Sequence, residues 1–195
     1  MRAWLIGLAL LVGAGPAKVA PTLGELLGAL QRPKTVSARF VQEKLHPAFT
    51  RPQRSEGTVE LARPARMRLV YERPHQVELR MDGDRVTMSY PRSGRTQTLE
   101  RGKGGQMDVV FDTLAFFVDA DPTRLAEVYE VAVEAPATLV LVPKDQGMRK
   151  MIARIRAEVD VAQGVLQKVT LEQTDGSSTT FTFLEPRVDA TPAAP

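Results

Sequence analysis

Apolar residues recur along this chain with two different periods, and the switches between them divide it into elements. In PTLGELLGAL, at 21–30, Leu23, Leu26, Leu27 and Leu30 stand at i, i+3, i+4 and i+7, the single stripe of an amphipathic helix. Thr22 and Glu25, three residues apart, have the spacing at which each side chain accepts a hydrogen bond from the other's backbone N–H, and Pro33 ends the helix. From 36 the period becomes two. The segments 37–45, 56–62, 66–71, 76–81, 85–90 and 95–100 predict six strands. Ala38, Phe40 and Gln42 share one face of the first, Val59 and Leu61 one face of the second, and Met67, Leu69 and Tyr71 one face of the third. Val77, Leu79 and Met81, then Val86, Met88 and Tyr90, continue the pattern.

Helical spacing returns at 107–118, where Met107, Val110, Phe111, Leu114, Phe117 and Val118 form one broad stripe, and Asp121 before Pro122 predicts the start of a second, short helix. Strands resume at 128–134, 138–144, 151–160, 164–173 and 178–185. Asp82-Gly83 and Asp175-Gly176 are tight-hairpin signals. About ten to eleven strands in succession, with no strand–helix–strand alternation, predict a mainly β (α+β) fold. One face of the sheet is apolar and the other charged, as in an antiparallel sheet with one side in water, and a few helices cover the apolar, concave face.

Two Arg-Pro pairs bracket the third strand, at 63–64 and 73–74. Each proline removes an amide donor and so marks a strand end. By parity Arg66 and Arg68 face water. Arg63 is in phase with Val59 and Leu61, and Arg73 with Met67, Leu69 and Tyr71, so both point to the apolar side unless a bulge intervenes. A guanidinium there has the donors to hold carbonyls of a helical lid or a cargo ester.

Composition narrows the function. Of the 195 residues, 43% are hydrophobic and 25% charged, enough for a packed core. The net charge of +3 comes from 26 basic and 23 acidic residues without a basic cluster, which argues against a nucleic-acid partner. The first residues, MRAWLIGLALLVGAGPAKVA, have a basic start, an apolar run over 3–12 and then small residues, the order of a secretory signal peptide. Cleavage is expected after Ala17, with Ala20 as the alternative. A single domain over 21–187 and a Pro/Ala-rich tail over 188–195 follow. The absence of cysteine removes disulfides, thiol chemistry and an acylated anchor.

Chemistry-bearing motifs are sparse. His46 and His75 lie in proline-flanked loops, the acids Asp108, Asp112, Asp119 and Asp121 fit helix edges and caps, and no serine lies in a nucleophile elbow. RGKGG at 101–105 lacks the spacing of a phosphate loop. The chain is therefore expected to be no enzyme and to need no metal or cofactor. Met67, Met81, Met88 and Met107 fall on inward faces, where soft, adaptable side chains serve either a core or a surface that fits varied ligands.

In order along the chain stand the leucine helix, ARFVQEK (38–44), Gly57, RP (63–64) with its Arg-apolar strand, YERP (71–74), DG (82–83), VVFDTLAFFVDADPTRL (109–125), LVPKD (141–145) and TDGSSTTFTF (174–183). This ordered set resembles the periplasmic outer-membrane lipoprotein carrier family, LolA-like, over nearly the whole mature chain. The resemblance implies an unclosed antiparallel half-barrel with an α-helical lid over an apolar cavity. It also implies a soluble, monomeric periplasmic carrier that takes acylated lipoproteins, or other lipids, from an inner-membrane ABC-type exporter to an outer-membrane acceptor. It places functional weight on Arg63, with Phe40, Leu61, Met67, Leu69, Tyr71, Leu79, Met81 and Met88 lining the cavity and Phe111, Leu114 and Phe117 on the inner surface of the lid. Departures from the family pattern are Leu69, Thr87 and Ser89 at positions usually aromatic, and an expected lack of the final F-x-F-x-P strand. The alternative is an envelope sensor or regulatory lipid-binding domain of the same fold.

Overall fold

The computed structural model describes residues 21–100 and 120–189. Helix α1 (Leu23–Gln31) opens the fold. Its capping box is complete: the Thr22 hydroxyl accepts from the Glu25 amide, and the Glu25 carboxylate accepts from the Thr22 amide at 2.7 Å. Six strands then follow as a meander: β1 (Thr35–Leu45), β2 (Gln53–Ala62), β3 (Arg66–Arg73), β4 (Val77–Asp82), β5 (Arg85–Tyr90) and β6 (Arg95–Glu100). After the short helix α2 (Pro122–Val128), capped by Asp121, come β7 (Tyr129–Glu134) and β8 (Thr138–Pro143). A four-residue helix, α3 (Gln146–Arg149), precedes β9 (Ile152–Asp160), β10 (Val165–Gln173) and β11 (Ser178–Val188).

The eleven strands among the described residues form one antiparallel sheet in the order β6-β5-β4-β3-β2-β1-β11-β10-β9-β8-β7. Every neighbour is also a neighbour in sequence except one: β1 pairs with β11, so the first and last strands meet in the middle of the sheet. The edges are β6 and β7, which do not pair, and the sheet is an unclosed half-barrel as expected. The tight turns use the flagged glycines. Gly83, at φ +58, takes the first central position between the paired residues Asp82 and Arg85. Gly176, at φ +83, closes the β10–β11 turn, where the Gln173 amide donates to the Ser177 carbonyl.

The strand expected at 178–185 is present as β11, which carries Phe181 and Phe183, and Phe183 lies opposite Phe40. It runs to Val188, and the Asp189 carboxylate accepts hydrogen bonds from the Lys34 and Thr35 amides. Arg73 does not face the apolar side. Gly57 lies opposite Tyr71 but Glu56 lies opposite Arg73, so Glu72 is an extra residue that reverses the parity. The Arg73 guanidinium is in water and pairs with Glu56 at 2.8 Å. The helix α3 was not foreseen, because four residues are too few for a periodic pattern.

The apolar side chains form two clusters. The first joins Leu26, Leu27 and Leu30 of α1 and Leu125 of α2 to Leu139, Leu141, Ile155 and Ala157 on β8 and β9. The second comprises Phe40, Met67, Leu69, Leu79, Met81 and Val86 on β1 and β3–β5. Phe181 and Phe183 pack against both and make the face continuous. The opposite face carries cross-strand ion pairs, among them Arg68 with Glu78 and Glu60, Arg154 with Glu172 and Arg156 with Glu134. The Arg68 guanidinium holds the Glu78 carboxyl below its ordinary value, and Arg156 does the same for Glu134.

Candidate functional site

The second cluster is where the sequence placed the cavity lining. The strand registers arrange it in rows across the sheet. One row, at the α1 end, runs Leu61, Met67, Met81, Val86. The next runs Ala38, Val59, Leu69, Leu79, Met88. The third is Phe40, Gly57, Tyr71, Val77, and the fourth, at the β1–β2 turn end, is Gln42 and Ser55. Alternation alone puts these side chains on one face. The pairing brings them into lateral contact. No described helix residue belongs to this cluster, yet its members are shielded: Phe40 is 1% exposed and Val86 2%.

Glycine at 57 shapes the third row. With no side chain on β2, the Phe40 ring from β1 meets the Tyr71 ring from β3 edge to face, centroids 5.1 Å apart at 82°. Phe181 joins Phe40 at 5.8 Å on the other side. Burial pushes the Tyr71 phenol up to about 12, and the Gln42 side chain beside it acts weakly in the opposite direction. Gln42 itself is only 6% exposed, a polar side chain set into the apolar face. At the far side of the same end, the Tyr90 hydroxyl donates to the Met88 sulfur at 2.7 Å.

Arg63 closes the other end. Its Nε donates to the Pro33 carbonyl at 3.0 Å and its Nη2 to the Leu30 carbonyl, and its own amide donates to the Lys34 carbonyl. These carbonyls end α1 or follow it directly, where helix geometry leaves acceptors free and the helix dipole favours a cation. The guanidinium therefore ties the C-terminal turn of α1 over the end of β2.

Phe40, Leu61, Met67, Leu69, Tyr71, Leu79, Met81 and Met88 thus lie on one face, with Arg63 at its edge. Phe111, Leu114 and Phe117 lie outside the described residues. Val59, Val86, Gly57 and Gln42 lie on the same face; alternation had placed Val59, Val86 and Gln42 there without naming them as site residues, whereas the importance of Gly57 depends on its neighbours. His46 accepts from the Ala48 amide and lies 5.5 Å from Phe49, and His75 is exposed; neither adjoins this face.

The model of the outer membrane lipoprotein carrier protein LolA matches residues 31–195. The chain belongs to the LolA family. The outer-membrane lipoprotein carrier protein of Methylibium petroleiphilum is 33% identical over 90 residues, 46% of this chain and 43% of that protein. The alignment therefore spans less than half of that relative's length. Among solved structures, MucB in the Pseudomonas aeruginosa MucA/MucB complex superposes with a TM-score of 0.51 at 18% identity, over 88% of this chain and 57% of that one. A putative outer membrane lipoprotein-sorting protein domain from Vibrio parahaemolyticus gives 0.50 at 9% identity, over 88% and 92%. Both structures share the fold with this LolA-family chain. Among the described residues no helix is long and apolar enough to cross a membrane.

Proposed function

We propose that this LolA-family chain is a soluble, monomeric periplasmic carrier that holds the acyl chains of lipoproteins against the apolar face of β1–β5 and hands them on without a covalent step. The observation that carries this reading is the unbroken apolar face of Met67, Met81, Leu69 and Leu79, with adaptable methionines in register across neighbouring strands. The signal-like N-terminus and the family membership support the periplasm. The inner-membrane ABC-type exporter and the outer-membrane acceptor are the partners this role requires.

The energetics suit hand-over. Each buried CH₂ contributes roughly 0.8 kcal/mol, so attraction for an acyl chain comes easily. The face is already shielded from water in this structure. An acyl chain laid on side chains that are already largely buried gains less than the full transfer energy. A weakened grip is what allows release to an acceptor without an energy source of its own.

Native mass spectrometry of the protein purified from the periplasm tests this. Bound acyl-chain species are expected; protein that is uniformly empty would refute it. A second reading, a regulatory domain that binds a protein partner, is favoured by the likeness to MucB captured with MucA. A stoichiometric polypeptide in the same spectra, without acyl species, would select it.

A further inference from the structure

The inner face of β1–β5 is graded in polarity from one end to the other. Successive rows lie about 7 Å apart along the strands. The row nearest α1 is Leu61, Met67, Met81 and Val86, wholly apolar, and the next is apolar as well. The third row introduces the Tyr71 hydroxyl, and the fourth holds Gln42 opposite Ser55. The gradient ends differently at its two limits. At the apolar limit the Arg63 bonds hold the last turn of α1 across the strand ends. At the polar limit β1 and β2 run on into the exposed 46–52 turn.

Gln42 is the anomaly that gives the gradient a direction. It is 6% exposed, shares its face with Phe40, and lies across from Phe181 on β11. A buried primary amide carries two donors and two acceptor lone pairs. The Tyr71 hydroxyl beside it is one partner, and an apolar residue would fill this position at lower desolvation cost. A ligand with an apolar body and a carbonyl at one end matches a face that is apolar along its length and carries amide and hydroxyl donors at one end.

Resting on the acyl-binding reading above, we infer that Gln42 and Tyr71 form a polar subsite for the ester or amide carbonyl at the head of a bound acyl chain. The hydrocarbon then lies over the Leu69–Leu79 and Met67–Met81 rows with its terminus toward α1, and the head leaves past Ser55 at the β1–β2 turn end. The ligand class is a glycerol-linked or N-linked fatty acyl group. A plain hydrocarbon satisfies the apolar rows only.

The test compares dioctanoylglycerol with its dioctyl ether analogue, which has the same chains and no carbonyls, by displacement of a bound solvatochromic dye from the full mature chain. Wild-type protein is expected to prefer the diester by roughly three- to tenfold, the value of one or two hydrogen bonds. In Gln42→Leu and in Tyr71→Phe that ratio falls toward one. A ratio unchanged in both variants overturns the subsite while leaving acyl binding intact; wild-type protein that binds neither compound overturns both. An independent measurement needs neither variant. The chain has no cysteine, so Ser55→Cys and Leu61→Cys each take a single fluorophore. A stearoyl ester with a nitroxide near its carbonyl is expected to quench the label at 55 more than the one at 61, and a nitroxide near the chain terminus to do the reverse. The opposite order would overturn the orientation.

Discussion

Gly57→Ala is a sharp test of how the site is built. Gly57 does not have a positive φ, so its requirement for glycine is spatial and not conformational. A Cβ there would lie 1.8 Å from the Val70 carbonyl oxygen and 3.0 Å from the Phe40 ring. The oxygen belongs to the backbone of β3 and cannot rotate away as a side-chain tip would, so β2 and β3 must part where Gly57 pairs with Tyr71. Overpacking of this kind costs about 1–3 kcal/mol, and a clash with backbone belongs at the upper end. Loss of the edge-to-face contact between Phe40 and Tyr71 adds about 1 kcal/mol. The stiffer unfolded chain returns about 0.4–1 kcal/mol. The expected destabilisation is about 3 kcal/mol, a fall in Tm of roughly 6–12 °C for a chain of this size. Urea unfolding followed by circular dichroism measures it. Gly28→Ala is the control: it lies exposed in α1 with nothing within 4 Å, and should stabilise by up to about 1 kcal/mol. If Gly57→Ala unfolded within about 0.5 kcal/mol of wild type, the close approach of β2 and β3 would be wrong.

Arg63→Leu removes the donors to the Leu30 and Pro33 carbonyls and is expected to cost roughly 1.5–3 kcal/mol of stability. It should still carry acyl cargo but deliver it poorly in a transfer assay with acceptor; normal delivery would refute the role of the clamp. For Tyr71, whose folded value is raised to about 12, the associated stability is complete below the ordinary phenol value near 10 and is lost as pH rises toward 12. Tyr71→Phe should therefore flatten the alkaline limb of stability against pH, and an unaltered limb would count against a buried phenol. Glu78 is lowered in the folded state, chiefly by Arg68, so its contribution is present above the ordinary value of 4.5 and fades as pH falls below it. Glu78→Gln should cost at most about 1 kcal/mol at pH 7, because water screens this outer-face pair, and should diminish the acid loss; a larger cost at low salt and high salt alike would contradict the screening argument.

Much of this architecture was legible in residue order because it depends on local chemistry. The capping box of α1, the alternation of β1–β5 and the glycine turns at 83 and 176 act over a few residues, so they reveal themselves without knowledge of the rest. The lining residues Phe40, Met67, Leu69, Leu79 and Met81 follow from strand parity alone. What the tertiary structure decided are relations between distant segments. The pairing of β1 with β11 joins residues about 140 apart and provides the Phe40–Phe183 contact that unites the two clusters, and no local pattern announces it. The extra residue at Glu72 turned Arg73 outward because a bulge depends on the partner strand, while Arg63, without such a bulge, reached the carbonyls of α1. The rows that grade the inner face from Leu61 to Gln42 exist only once five strands are in register. Periodicity says which face a side chain takes; only pairing says which side chains share a row, because the hydrogen bonds that set register join segments far apart in the chain.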